Sequence, residues 1–495
     1  MSKINRRQFF ILSAASAVTA SMASWAIVKD NKTPRQTKIL LSKLHQSSDG
    51  LLELDLEANL NRVNLGSQSA YLLTYNGQVP APRLEAKAGD TVRINFTNNL
   101  SQPTNLHYHG LHIPPTGNAD NAFLSIPPGE SLTYEFTIPK NHLSGTFWYH
   151  PHPHGYVAEQ LFGGLAGLFI VRGELDEIPE IKAAKEEFIV LKDFALDASG
   201  RIQSPNHMEI MMGREGQLLT VNGQVNPNFT IPKGGLLRLR ILNASPSRFY
   251  RVSLENHPLY LIATDGGAID APIELQELLL APGERAEVLV RGDREPGQYQ
   301  LLTLPYDRGG MGMMGRGGHM MRGRGHRMGR SFQTNPQVLA TLSYQDSVAT
   351  LPLPQQLLPV ETLPEPKTVR RFELSMAMAP RMGMVFTFNG QTFDPERVDT
   401  EVKLNTVEDW ELINVDPDLM DHPIHLHLNR FQVVSRDGQS EPYRAWKDTV
   451  LVRGGETVRI RIPFRDFAGK TVYHCHILDH EDLGMMGIVE IEPAA

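Results

Sequence analysis

Cysteine is almost missing from this chain: its 495 residues include a single one, Cys475. A lone thiol excludes an intramolecular disulfide, so stability must come from core burial, for which this length supplies material for two or three domains. Outside the N-terminal region there is also no apolar run long enough to span a bilayer. A basic excess is lacking too, with 48 Lys and Arg against 55 Asp and Glu and a formal charge of −7. Such a mildly acidic balance argues against nucleic-acid binding. Neither a nucleic-acid partner nor stable membrane insertion is expected.

The one cysteine stands in an informative place, between His474 and His476 and shortly before His480 and Met485. A thiolate, an imidazole and a weak thioether make a mononuclear copper centre that cycles between Cu(I) and Cu(II). On an extended segment neighbouring side chains point to opposite faces, so His474 and His476 lie across the strand from Cys475 and are free to bind other metals.

Three further clusters supply histidines to join them: His107-Tyr108-His109, His150-Pro151-His152 and His422-Pro423-Ile424-His425-Leu426-His427. Each contains an i, i+2 pair, which on a strand presents two imidazoles on one face. A lone pair of this kind is commonly just a polar strand face. Four clusters holding ten of the eighteen histidines, one wrapped around the sole cysteine, point to a metal assembly.

An internal repeat sets the architecture. Asn-Gly-Gln recurs at 76–78, 222–224 and 389–391, and each copy is followed by a Gly-Glu turn, at 129–130, 283–284 and 455–456. The stretches 91–96, 237–242 and 458–462 alternate with the period of half-buried strands. The chain therefore reads as all-β, with three tandem Greek-key β-sandwiches and few short helices, one candidate being 178–187. Expected boundaries are 38–173, 184–345 and 368–495, with a proline-rich linker over 346–367. Histidine clusters fall in the first and third domains, which makes the second a spacer and puts the shared metal cluster between domains one and three.

The motifs NLHYHG, FWYHPH, HPIHLH and YHCHILDHEDLGMM resemble those of the multicopper oxidase family, in its three-domain bacterial branch of laccase-like and cuprous-oxidase enzymes. The resemblance covers nearly all of the chain after about residue 40 and implies cupredoxin domains binding four copper ions. Carried over by motif, it implies type 1 copper on His422, Cys475 and His480 with axial Met485, and type 2 copper on His107 and His425. The type 3 pair would be held by His109, His150 and His476 on one ion and by His152, His427 and His474 on the other. Dioxygen would be the acceptor, reduced to water with electrons passing through Cys475. Glu481 and Asp120 stand where the family has acidic groups that help supply protons.

His154 forms a competing i, i+2 pair with His152, but Trp148-Tyr149 selects His150 and His152 in the family pattern, leaving His154 in a supporting or structural role. His112 is expected at the surface or in a hydrogen bond, and His45, His142, His207 and His257 are read as ordinary.

Two features bear on the electron donor. The segment 308–330 holds six methionines, Met311, Met313, Met314, Met320, Met321 and Met328, with six arginines and no acidic residue. It is too glycine-rich to pack, so a mobile loop is expected, and thioether sulfur prefers Cu(I). Asp418 and Met420, before His422, match positions at which the family's cuprous oxidases hold substrate Cu(I). Met376, Met378, Met382 and Met384 can add to that surface or fill core. The favoured reading is an exported cuprous oxidase acting in copper tolerance. A laccase acting on phenols and aromatic amines is the alternative, and a copper-free structural relative or a copper-storage protein is the alternative of another class. Asn5-Arg6-Arg7-Gln8-Phe9-Phe10 before an apolar stretch to about residue 28 resembles a twin-arginine export signal and implies a periplasmic or extracellular protein, expected to be a monomer.

Overall fold

A computed structural model describes residues 42–309, 335–379, 383–416 and 419–493. The twin-arginine segment, the six methionines of 311–328, Met382 and Asp418 lie outside the described residues.

Among the described residues six sheets pair into three sandwiches in chain order, as the repeat implied: five and four strands, then six and five, then six and five. Each sandwich contains the same turn. In Asn76-Gly77, Asn222-Gly223 and Asn389-Gly390 both residues have positive φ, the two-residue hairpin turn that Asn-Gly favours. The asparagine side chain then ties the turn to a preceding long strand, accepting from the backbone N–H of Glu57, Val190 or Glu373 at 2.7, 2.9 and 2.8 Å.

A second asparagine repeats at the end of a central strand. Asn98, Asn243 and Asn414 each accept from the backbone N–H two residues on, at 2.9, 3.0 and 3.0 Å. Each also donates to a carbonyl of the loop that follows, at Gln102, Arg248 and Met420. In the third sandwich this loop runs into His422, so a device of the fold positions a candidate ligand.

The strand Thr91–Asn98 alternates between buried and half-buried positions, as read from sequence. Its counterpart Leu236–Asn243 departs from that expectation and is buried along its whole length. Its polar face is closed by neighbouring segments. Arg238 and Arg240 share Glu287 at 2.5 Å each and Asp176 at 2.7 and 2.6 Å, and Thr146 of the first sandwich donates to Glu287 at 2.8 Å. Buried charge is tolerated here because both guanidinium groups have carboxylate partners. The candidate helix over 178–187 is also shorter than expected. Helix spans Pro179–Ala183, and strand takes over from Lys185, where 185–191 pair in parallel with 237–243. No helix among the described residues is long and apolar enough to cross a membrane.

Candidate metal centres

Strand register places the histidines. The short strand His107–His109 pairs with Gly145–His150 and sets His107 opposite His150. In the third sandwich His422–Leu426 pairs with Gly469–Cys475 and sets His425 opposite His474. The two sandwiches meet at these strands. His107 stacks on His427 and His109 on His425, each pair with ring centroids 3.7 Å apart.

Ligand-type atoms converge in small buried groups at this junction: His107, His109 and His425; His109, His150 and His476; and His152, His427 and His474. In the last group Nε2 of His474 lies 3.3 Å from Nε2 of His152 and 3.1 Å from Nε2 of His427. A separate group joins His422, Cys475 and His480, with Cys475 Sγ 3.6 and 3.8 Å from the Nδ1 atoms of the two histidines. Met485 is buried in the same apolar cluster as Cys475, and its carbonyl accepts the Cys475 backbone N–H at 3.0 Å.

Several of the rings are turned by a bond at one nitrogen that leaves the other free for a ligand. Asp120 Oδ1 lies 2.9 Å from His107 Nδ1, and the carbonyls of Pro151 and Asp448 lie 2.9 and 2.8 Å from Nδ1 of His150 and His425. His109 is held through Nε2, 3.1 Å from Asp448 Oδ1. Nε2 of His422 faces Asp416 at 3.1 Å, and Nε2 of His480 faces the Met211 carbonyl of the second domain at 3.1 Å. Phe386 stacks on the His480 ring at 3.7 Å and shields it.

These bonds leave His107 Nε2, His109 Nδ1, His150 Nε2, His425 Nε2, His427 Nδ1 and both nitrogens of His476 buried without a hydrogen-bond partner. So many orphaned polar atoms gathered at one junction would be costly in an apolar interior. Metal ions explain one such nitrogen of each ring, since a metal takes the lone pair that no donor reaches. Burial, followed by the neighbouring rings, holds His107, His150, His427 and His476 well below the ordinary histidine range. They are therefore neutral, the form that ligates. The residues fit copper: imidazoles throughout, with one soft thiolate set apart.

Glu481 is fully buried beside the third group, with Oε2 2.9 Å from His474 Nδ1 and Oε1 3.3 Å from His152 Nε2. Burial pushes its carboxyl up to about 7, against a downward pull from His152. Asp120, pushed up to about 8 by burial, sits at the junction beside His107. Met420 is buried two residues before His422, while Met376 and Met384 pack against the core of the third domain and Met378 is exposed. His154 stays outside the histidine groups, packing on Phe393 with centroids 4.6 Å apart. His152 and His154 line a cleft of about 540 Å³ with Phe123, Tyr156, Phe393 and Lys470. His112 takes the hydrogen-bonded place and not the surface one: it is buried, 2.9 Å from the Leu428 carbonyl and 2.8 Å from Asp466.

Asp416, Asp448 and the Met211 carbonyl carry no signal in the sequence. Asp448 reaches His109 from 339 residues away, a pairing no local spacing encodes.

Comparison with known proteins agrees. Family models described as multicopper oxidase match residues 58–176, 189–316 and 363–495. The chain is 32% identical over 426 residues to the multicopper oxidase mco of Staphylococcus haemolyticus, covering 85% of this chain and 83% of that one. This chain belongs to the multicopper oxidase family. A solved structure of a Campylobacter jejuni multicopper oxidase, described as a metallo-oxidase, superimposes with a TM-score of 0.80 at 32% identity, covering 92% of this chain and 94% of that one. Relatives with other names match as well. The cell division protein FtsP of Proteus mirabilis is 28% identical over 99% of both chains.

Proposed function

We propose that this multicopper oxidase is an exported enzyme that couples one-electron oxidation of a donor, Cu(I) above all, to reduction of dioxygen to water. Type 1 copper is assigned to His422, Cys475, His480 and Met485, and type 2 to His107 and His425. The type 3 ions are assigned to His109, His150 and His476 and to His152, His427 and His474. Bound copper supplies one-electron redox chemistry at the first site and a store of electrons for dioxygen at the other three positions. The observation that carries this reading is the set of buried, unpartnered imidazole nitrogens around the junction of the first and third sandwiches.

The protein's own groups do the rest. Cys475 is bonded through the backbone to His474 and His476, so one covalent segment links the two assemblies. Phe386, Met211 and Leu428 belong to the apolar cluster around Cys475 and exclude water from it. Glu481 Oε2, held near neutrality by burial beside His474 Nδ1, can give up and regain a proton as water forms. Asp120 Oδ1 accepts from His107 Nδ1 and fixes that ring's tautomer.

Cu(I) is favoured as donor by where the methionine segment starts. Arg308 is buried and donates to the Ser247 carbonyl at 2.6 Å and to the carbonyls of Met212 and Gly213, next to the Met211 carbonyl that turns His480. Its own carbonyl accepts from the Asp421 N–H at 2.9 Å, one residue before His422. The stem of the segment is thus fixed beside both histidines of the type 1 site. Export by the twin-arginine route fits copper tolerance, and phenols are the alternative donors. A copper-free structural role is disfavoured because all ten histidines, Cys475 and Met485 are in place.

Oxygen uptake by the copper-loaded protein, intact and lacking 309–329, tests the donor. Cu(I) oxidation is expected to collapse on deletion while phenol turnover holds or rises. Unchanged Cu(I) kinetics would make laccase the better description.

A further inference from the structure

Among the described residues the second domain contributes no ligand to the four assigned copper positions, yet it enters the trinuclear junction. Its turn at Gly283 lies against His476 so closely that an added Cβ would sit 2.8 Å from the imidazole. Two residues on, Arg285 is fully buried and reaches across to Asp448 of the third domain. Its fork grips the carboxylate at both oxygens, Nη1 to Oδ1 at 2.7 Å and Nη2 to Oδ2 at 2.5 Å.

The remaining donors of the guanidinium are also used. Nε donates to the Thr146 carbonyl of the first domain at 3.0 Å, Nη1 to Gly283 O at 3.1 Å and Nη2 to Asp265 O at 2.8 Å. All five N–H groups of the arginine are thereby satisfied, which fixes the plane of the fork. The residue it holds turns two candidate copper ligands from different domains. Asp448 Oδ1 lies 3.1 Å from His109 Nε2, and Asp448 O lies 2.8 Å from His425 Nδ1. Gly110 leaves room for the pair, because a Cβ there would lie 2.4 Å from both Arg285 Nη2 and Asp448 Oδ2. A spacer would need none of this.

We propose that Arg285 is a positioning residue of the trinuclear copper centre: by clamping Asp448 it fixes the tautomer and direction of His109 and ties the second domain into the site. Asp448 then accepts the Nε2 proton of His109 and leaves Nδ1 to the metal. This rests on the assignment of His109 and His425 to copper made above. Groups that orient metal ligands in this way are worth about 10–100-fold in affinity.

The test uses the full-length, copper-loaded protein and Arg285→Lys, which keeps the charge and loses the fork. Copper retained against a graded chelator is measured together with the type 2 electron paramagnetic resonance signal and the thiolate colour of the type 1 site. The type 1 ligands all lie in the third domain, so that colour reports its folding independently. Expected are an unchanged type 1 colour, an altered type 2 signal because Asp448 also turns His425, and trinuclear copper lost at about 10–100-fold lower chelator. Arg172→Lys, in an ion pair with Glu85 of its own domain and with Glu186 of the second, should alter neither signal. Asp448→Asn, of the same shape, removes the charge the fork grips and carries the same expectation as Arg285→Lys. Wild-type retention and an unchanged type 2 signal in Arg285→Lys would overturn the proposal. So would loss of type 1 colour along with everything else in both variants, which would make the pair an interdomain strut. If the wild-type protein itself holds no trinuclear copper, the copper assignment fails first and the proposal with it.

Discussion

Cys475→Ser is expected to give a folded protein with no thiolate colour, its copper retained at the histidine junction and its oxygen consumption reduced on the order of 10³-fold or more, the scale for loss of an obligatory catalytic group. Serine keeps the branching and nearly the length of cysteine, so the apolar cluster around position 475 loses little packing. The ligand chemistry changes completely. A hard, neutral hydroxyl replaces the soft thiolate between His422 and His480, whose Nδ1 atoms face it at 3.6 and 3.8 Å. Burial pushes the Cys475 thiol up, so in the metal-free protein it stays protonated, and copper must displace that proton to bind. On the proposed route, in which both donors deliver electrons through this residue, loss must be equal for Cu(I) and phenolic donors. Colour and activity measured on the same sample check it. Wild-type turnover without colour would show that electrons bypass Cys475.

Glu481→Gln is expected to lower turnover by roughly 10²- to 10⁴-fold, the usual contribution of a positioned proton donor. Copper content and type 1 colour should not change. The amide keeps the shape of the carboxyl but cannot cycle a proton. The side chain is fully buried, with one oxygen toward each of His474 and His152, so solvent has no direct substitute for it. Single-turnover kinetics with the reduced enzyme separates the two explanations of a slow variant: slow reoxidation by dioxygen indicts proton supply, and slow reduction by the donor does not. A variant that loses copper instead would make Glu481 a support for the His474 ring.

The parts of the molecule legible in its sequence are those encoded locally. Asn-Gly turns, alternating strands such as 91–96 and the i, i+2 histidine pairs are all short-range features, and the structure turns, pleats and gathers them accordingly. The family motif favours His150 and His152 over His154, and His154 lies outside the histidine groups. What is not legible is non-local. The arginines of 236–243 read as one face of a half-buried strand, yet they are buried because the segments around Asp176 and Thr146 cover them. The second domain reads as a spacer because none of the histidine motifs falls in it, whereas Gly283, Arg285 and the Met211 carbonyl bring it to both candidate metal assemblies. Nothing in the spacing of Asp448 and His109 announces their contact. Only the packing of three domains around one junction creates it.

The decisive measurement is the ratio of donor oxidised to dioxygen consumed by the copper-reconstituted wild-type protein, with peroxide assayed in the same reaction. A cysteine-linked pair of copper assemblies predicts about four electrons per dioxygen, no peroxide and a full complement of bound copper. A protein that binds no copper would contradict the reading and favour a copper-free structural role, and one that binds copper without consuming dioxygen would contradict it and favour copper storage.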